Sequence, residues 1–444
     1  MLIFLFVVIF FISLFHHLDP PRILAYPIVG NSFWIISDLP YIGFQKLIEK
    51  YGDVFGLYLG TKYTVVVCSA PLAKAIISDN SDNFINKPSS IGWREFSSGH
   101  KDLFLARDND WYTVRQFMGK SFTTTQLKYQ LPLIYDQADK MIEYFRSFAK
   151  SNFNLNPKDA CYKYSINIAL QILVSKEVSY EEEVDKDFGN IVQYCEKIAH
   201  NIGTSVVLES FEFLKPLVYL YLNKPRNLMD QFILSAEELG DRDRISFIST
   251  DFIVAADSAS VTILWFILLM VNNPDCQEKA FDEIKSVVGN REKVEIPDKT
   301  QLPYLCAVIK ECQRYIPPTP FIFPRESKES IVINDIFIPK GANVLVNFYA
   351  MARNKNYWQN PDQFDPNRFM NNNHSENFLP FGTGPRSCIG MNLALDQLFI
   401  ACSNILLNFK IKSTDNNPIS EGGLTYDILL KPSQYEIKFE ERVK

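Results

Sequence analysis

The chain has 444 residues, a formal net charge of −6, 47% hydrophobic and 22% charged side chains. This describes a globular protein with a large buried core and excludes disordered and collagen-like chains. The charge balance gives no basis for a nucleic-acid partner.

The first predicted element is the apolar run "MLIFLFVVIFFISLF" at the N-terminus. It has no basic leader and no small-residue cleavage site, which argues against a cleavable signal peptide. It is apolar on every face, which argues against a surface-capped core helix. A membrane anchor over residues 1–18 fits best, though shorter than the roughly 20 residues of a full span. Arg22 and Lys46 follow it, so the positive-inside tendency keeps the rest of the chain cytosolic. Pro20 and Pro21 stiffen a hinge over 19–26, and a single catalytic domain is expected over 27–444.

"DVFGLYLG" and "KYTVVVCS" read as two short strands joined at Gly60–Thr61. From Pro71 to about Ser286 apolar residues return every three or four positions, the helical period. Residues 150–245 carry no assignable chemistry. A long apolar helix is predicted over 252–271, capped by Ser249 or Thr250 and ended by Asn273-Pro274. It is about 30 Å long, so a second membrane span competes with a buried core helix. One acid, Asp257, lies within it and points to function in either setting. Helices at 275–288 and 302–315 come next, then short strands "IVIN", "IFIP" and "NVLVNFY". The polar stretch 371–377 reads as a loop. The resulting class is α+β, mostly helical, with a small β-rich region.

Eight cysteines lie at 68, 161, 195, 276, 306, 312, 388 and 402. Most sit in apolar or helical runs without paired metal-ligand spacing, so reduced thiols are expected. Cys388 is different. It lies in "FLPFGTGPRSCIG", among glycines and prolines, just before a helical run. A helix N-terminus and nearby Arg386 favour thiolate. A structural thiol and a nucleophile compete with an iron ligand. The nucleophile lacks a nearby histidine base, and the glycines suit close approach to something flat and bulky.

"FGTGPRSCIG" resembles the haem-binding loop of the cytochrome P450 family, F-G-x-G-x-R-x-C-x-G, at every fixed position. The resemblance implies that Cys388 is the proximal thiolate, that Phe381 packs beside haem and sulfur, and that Arg386 pairs with a haem propionate. "WYTVR" is similar to the family's W-x-x-x-R, which implies propionate contacts for Trp111 and Arg115. "KECQR" is similar to ExxR, which implies a buried Glu311–Arg314 pair joined by Arg368 of "FDPNRF". Without the resemblance, that pair reads as an exposed helical ion pair. "PPTPFIFPR" implies Arg325 as a further propionate partner and an apolar pocket wall. The long helix would cross over the haem. There the family's A/G-G-x-D/E-T stands as Val254-Ala255-Ala256-Asp257-Ser258, with Trp265 holding the register. Asp257 and Ser258 would handle protons, although Ser replaces Thr and Ala255 replaces the usual Gly. Asp396 stands where Glu is common.

The resemblance therefore implies the cytochrome P450 fold with an N-terminal anchor helix, and a haem-thiolate monooxygenase using haem b (iron protoporphyrin IX). It would insert one atom of O2 into an apolar small molecule. Electrons would come from NADPH through a separate flavoprotein reductase, since no G-x-G-x-x-G loop follows a strand. The expected setting is the cytosolic face of the endoplasmic reticulum membrane, with lipid contact through the anchor. The altered alcohol–glycine region leaves a non-oxygenating haem-thiolate protein as the alternative, an isomerase of peroxides or an inactive haem binder. Walls of the substrate pocket are expected from residues 85–105, the long helix, Pro318–Phe323 and Gly422–Thr425. Sterols, fatty acids, terpenoids and xenobiotics all remain open as substrates.

Overall fold

A computed structural model describes residues 20, 23, 30–31, 40–88, 94, 99–151, 153–181, 242–370, 376–422, 425–426 and 429–442. The expected anchor, nearly all of the hinge and much of the anonymous 150–245 region lie outside the described residues.

Helix α1 (Pro40–Tyr51) leads into β1 (Val54–Leu59) and β2 (Lys62–Val67), an antiparallel pair turning at Gly60–Thr61 as expected. Helix α2 (Asp108–Gly119) carries the WxxxR motif, and α3 (Thr124–Ser151) and α4 (Lys158–Val174) follow. The long helix α5 runs from Arg242 to Asn272. Its predicted caps are therefore corrected: Ser249 and Thr250 lie inside the helix. Its end is as expected, because Pro274 lacks an N–H and opens α6 (Pro274–Val288) instead. Pro303 likewise opens α7 (Pro303–Tyr315).

Beyond α7 come β3 (Arg325–Glu326), β4 (Ile331–Ile333), β5 (Ile336–Ile338) and β6 (Asn343–Val346). The run "NVLVNFY" is strand only through Val346. Asn347 then accepts the Ala350 N–H and caps a short helical turn. Helix α8 (Met391–Asn408) starts two residues past Cys388's neighbour Ile389. The chain closes with β7 (Phe409–Ser413), β8 (Thr425–Tyr426), β9 (Leu430–Lys431) and β10 (Ile437–Glu441). The main sheet has the order β1-β2-β6-β3, with β2 and β6 parallel and the other neighbours antiparallel.

The two helices that are apolar on all sides occupy the centre, as their sequences require. α5 buries an unbroken run from Ala259 to Met270, and α8 buries Gln397 to Asn408. Both belong to one core with α3, α4, α6 and α7. α5 is long and apolar enough to cross a membrane, yet here its apolar face is spent on protein neighbours. Amphipathic α6 buries one stripe, Gln277, Ala280, Ile284 and Val288. Trp265 fixes the register of α5 against the tail: its Nε1 donates to the Leu430 carbonyl at 2.8 Å.

Candidate active site

The cysteine loop is shaped by its glycines. Gly382 and Gly384 both have positive φ, +77° and +73°. At Gly384 a Cβ would lie 2.8 Å from the Ile77 carbonyl oxygen, so only glycine lets the loop press against the helical turn Lys74–Ser78. The loop closes on itself: Cys388 N–H donates to the Phe381 carbonyl at 2.9 Å, and Ser387 N–H to the Gly384 carbonyl at 3.0 Å.

Cys388 is exposed. Its thiol is nevertheless surrounded by enough protein that burial pushes its pKa up, against lowering by the Gly390 backbone N–H and by Arg115. The upward direction corrects the expectation that helix terminus and Arg386 would favour free thiolate. Burial outweighs them.

A cluster of cations lies beside this loop. Arg325 is 2% exposed, its Nε has no protein partner, and Nη1 donates to the Phe323 carbonyl at 3.4 Å. Arg386 donates from Nη1 to the Phe104 carbonyl at 3.2 Å and from Nη2 to the Ala106 carbonyl. Its Nε is also without a partner, and its guanidinium lies 4.6 Å from the centre of the Trp111 ring. Burial lowers the pKa of Arg325 to about 10. Burial and then repulsion by Arg325 lower that of Arg386 to about 9. Trp111 is buried, and Arg115, one turn along α2, feels Cys388 electrostatically. The sequence reading missed Lys87. It is buried, and its pKa is pushed well below the lysine range, first by burial and then by Arg325 and Arg386. Its Nζ sits 2.9 Å from the centre of the Phe104 ring. A cation before proline in "NKP" was its only signal.

Two inward arginine Nε–H groups left unpaired in a buried cationic cluster would be costly alone. They suit a bound dianion with two separate carboxylates. A deep thiol, a glycine-built approach and such a cluster together fit iron protoporphyrin, whose propionates would satisfy both arginines.

The ExxR prediction holds in detail. Glu311 and Arg314 have no exposed side-chain surface and join through two bonds, Nε–Oε2 at 2.7 Å and Nη2–Oε1 at 2.8 Å. Arg368 Nε approaches Glu311 Oε1 at 3.4 Å, completing the expected triad. The exposed reading of this pair is thereby excluded. Asp396 pairs with Lys299 at 3.1 Å.

On α5 the acid and the alcohol face different partners. Asp257 is buried and forms an ion pair with Lys431 at 3.2 Å. Ser258 Oγ donates to the Ala255 carbonyl at 2.8 Å, and Thr262 Oγ1 to the Ser258 carbonyl at 2.7 Å. Ala255 itself is exposed.

The family model described as Cytochrome P450 matches residues 20–221 and 214–439. The chain belongs to the cytochrome P450 family. Among its relatives, Probable cytochrome P450 508A2 of Dictyostelium discoideum is 33% identical, over 94% of this chain and 92% of that one. Probable cytochrome P450 508A1 of the same organism is 32% identical with the same coverage. A zebra fish cytochrome P450 solved with abiraterone superposes with a TM-score of 0.75 at 25% identity, covering 92% of this chain and 100% of that chain. Another, solved with progesterone, has a TM-score of 0.75 and 25% identity, covering 90% and 99%. The fold is thus the cytochrome P450 fold, and the general activity is that of a haem-thiolate monooxygenase.

Proposed function

We propose that this chain oxygenates an apolar, steroid-sized molecule, with Cys388 as the iron ligand and electrons delivered from NADPH by a separate flavoprotein reductase. The observation that carries the reading is the pairing of Arg325 with Arg386, two residues before Cys388, each keeping an unpaired Nε–H in a buried cluster. Bound haem b would supply the O2-binding centre from which one oxygen atom enters the substrate and the other leaves as water.

The chain's own side chains do the rest. Arg325 and Arg386, with Lys87, Trp111 and Arg115 around them, would hold the propionates and fix the plane of the group. The Gly390 N–H donates toward the Cys388 sulfur and tempers its basicity. Phe381 would pack beside that sulfur and keep water away. Ser258 would offer a hydroxyl beside the exposed Ala255, and Asp257, paired with Lys431, would join it in handling protons. Ala255, Ile322 and Phe323 would offer apolar surface to such a guest. The zebra fish relatives solved with abiraterone and progesterone support that class. We place the catalytic domain at the cytosolic face of the endoplasmic reticulum, held by residues 1–18.

Two measurements test this. The reduced protein with carbon monoxide should give the red-shifted thiolate Soret band. NADPH with a flavoprotein reductase should drive O2-dependent product formation from an apolar substrate found by spectral shift. Turnover with peroxide alone, or none with haem intact, would overturn the monooxygenase reading in favour of a non-oxygenating haem-thiolate protein.

A further inference from the structure

Between α5 and the cysteine loop lies a single turn, Asp102–Ala106, whose backbone groups are divided between opposite charges. Its amide end meets carboxylates. Asp251, on α5, accepts the Phe104 N–H on Oδ2 at 3.0 Å, and the Leu103 N–H also acts on it. Asp102 accepts the Leu105 N–H on its own Oδ1. The Ala106 N–H closes the turn on the Asp102 carbonyl at 3.2 Å. Its carbonyl end meets a cation, since the Phe104 and Ala106 oxygens are the ones that hold Arg386. The Phe104 ring carries Lys87, and lies edge-on to Phe323 with centroids 4.4 Å apart.

We propose that Asp251 is a positioning residue for haem seating: by binding the amide end of this turn it fixes the two carbonyls that aim Arg386 and the ring that seats Lys87. The turn behaves as a dipole held at both ends, anion at its amides and cation at its carbonyls. Its length sets the spacing between central helix and cation cluster. Burial and the neighbouring Asp102 carboxylate raise the Asp251 pKa well above the usual range. A carboxyl kept in such a place against that cost is kept for its bonds. The proposal rests on haem binding by the Cys388 loop, and is independent of substrate and reductase.

The test uses the full-length haem-loaded protein. Asp251→Ala places a strong helix former inside α5, and Asp251→Asn keeps one acceptor oxygen. Amide hydrogen exchange over 102–106 and the rate of haem transfer to apomyoglobin are measured together. Asp251→Ala should speed exchange at Leu103 and Phe104 about tenfold, the loss of one to two hydrogen bonds. It should also speed haem release several-fold, with β7 and β10 exchange unchanged. Asp251→Asn should fall between the two, and carries the test by itself if the alanine variant does not fold. Wild-type exchange at both amides in either variant overturns the proposal. So does faster exchange with unchanged haem release. Loss of monooxygenation with both readouts intact would bear on the enzymatic reading instead.

Discussion

Glu311→Ala is the sharpest test of how the proximal side holds together. The carboxylate receives Arg314 Nε and Nη2, Arg368 Nε and the Asp365 backbone N–H, the last at 2.8 Å. Removing it leaves two guanidinium groups facing no anion where neither Glu311 nor Arg314 has exposed surface. Breaking a buried pair on one side costs about 3–5 kcal/mol, whereas an exposed i,i+3 pair is worth about 0.2–0.5 kcal/mol. The two cases differ roughly tenfold, so the measurement decides between them. With a urea slope of about 3 kcal/mol per molar, the midpoint should fall by roughly 1 M or more. Circular dichroism reads the fold and the Soret band reads the haem. Replacing both partners with leucine should not restore stability. Arg314 Nη1 also serves the Ala352 and Pro361 carbonyls at 2.7 and 2.8 Å, and Nη2 serves Gln363 at 3.2 Å. The Ala352 and Pro361 carbonyls would lose that donor, and Gln363 would keep only Arg368 Nη2 at 3.2 Å. A Glu311→Ala protein within about 1 kcal/mol of wild type would refute the reasoning.

Further outcomes follow from the same geometry. Cys388→Ser should abolish the red-shifted carbon monoxide band and turnover while leaving the circular dichroism spectrum unchanged. Gly384→Ala should cost about 1–3 kcal/mol from its left-handed φ alone, with more from contact with the Ile77 carbonyl, seen as a lower thermal midpoint and reduced haem content. His100 is shifted down to about 4 by burial, then by Arg107 and Arg94. Its folded form resists protonation while the unfolded chain accepts a proton below its ordinary 6.5. Stability should therefore fall as pH drops from about 6.5 toward 4, and His100→Gln should flatten that part of a pH–midpoint curve.

The legible parts of this sequence were local. The β1–β2 hairpin, the proline-opened helices α6 and α7 and the cysteine loop depend on neighbours within a few positions, and each was found where expected. Helix ends were harder. α5 begins at Arg242 and runs through the predicted caps Ser249 and Thr250; a hydroxyl residue marks a helix start only where the backbone leaves the helix. Strand character after Val346 failed for a similar reason: Asn347 caps a turn that apolar alternation cannot foresee. The site residues with motif spacing were legible through resemblance. Lys87, Asp251 and Lys431 were not, since their partners are far along the chain. Asp257 and Ser258 are adjacent in sequence, yet successive residues on a helix point about 100° apart. One meets Lys431 of β9, the other the Ala255 carbonyl.

Among the described residues, the charges of the cluster favour a dianion as the group it holds. Lys87, Arg115, Arg325 and Arg386 act on one another or on Cys388, while Asp102 and Asp251 are the carboxylates that act on Lys87. With the Cys388 sulfur left to the iron, full ionisation sets four cations against two anions. The lowered pKa of Lys87 and the raised pKa of Asp251 favour moving one proton between them, but that transfer removes one charge of each sign. The surplus of two positive charges therefore survives whichever way that proton lies. Arg107 does not add to it, because Glu326 neutralises it at 2.8 Å. Buried charge without a partner costs several kcal/mol per ion. Two propionates cancel this surplus, and a neutral or singly charged ligand would leave at least one buried cation unmatched.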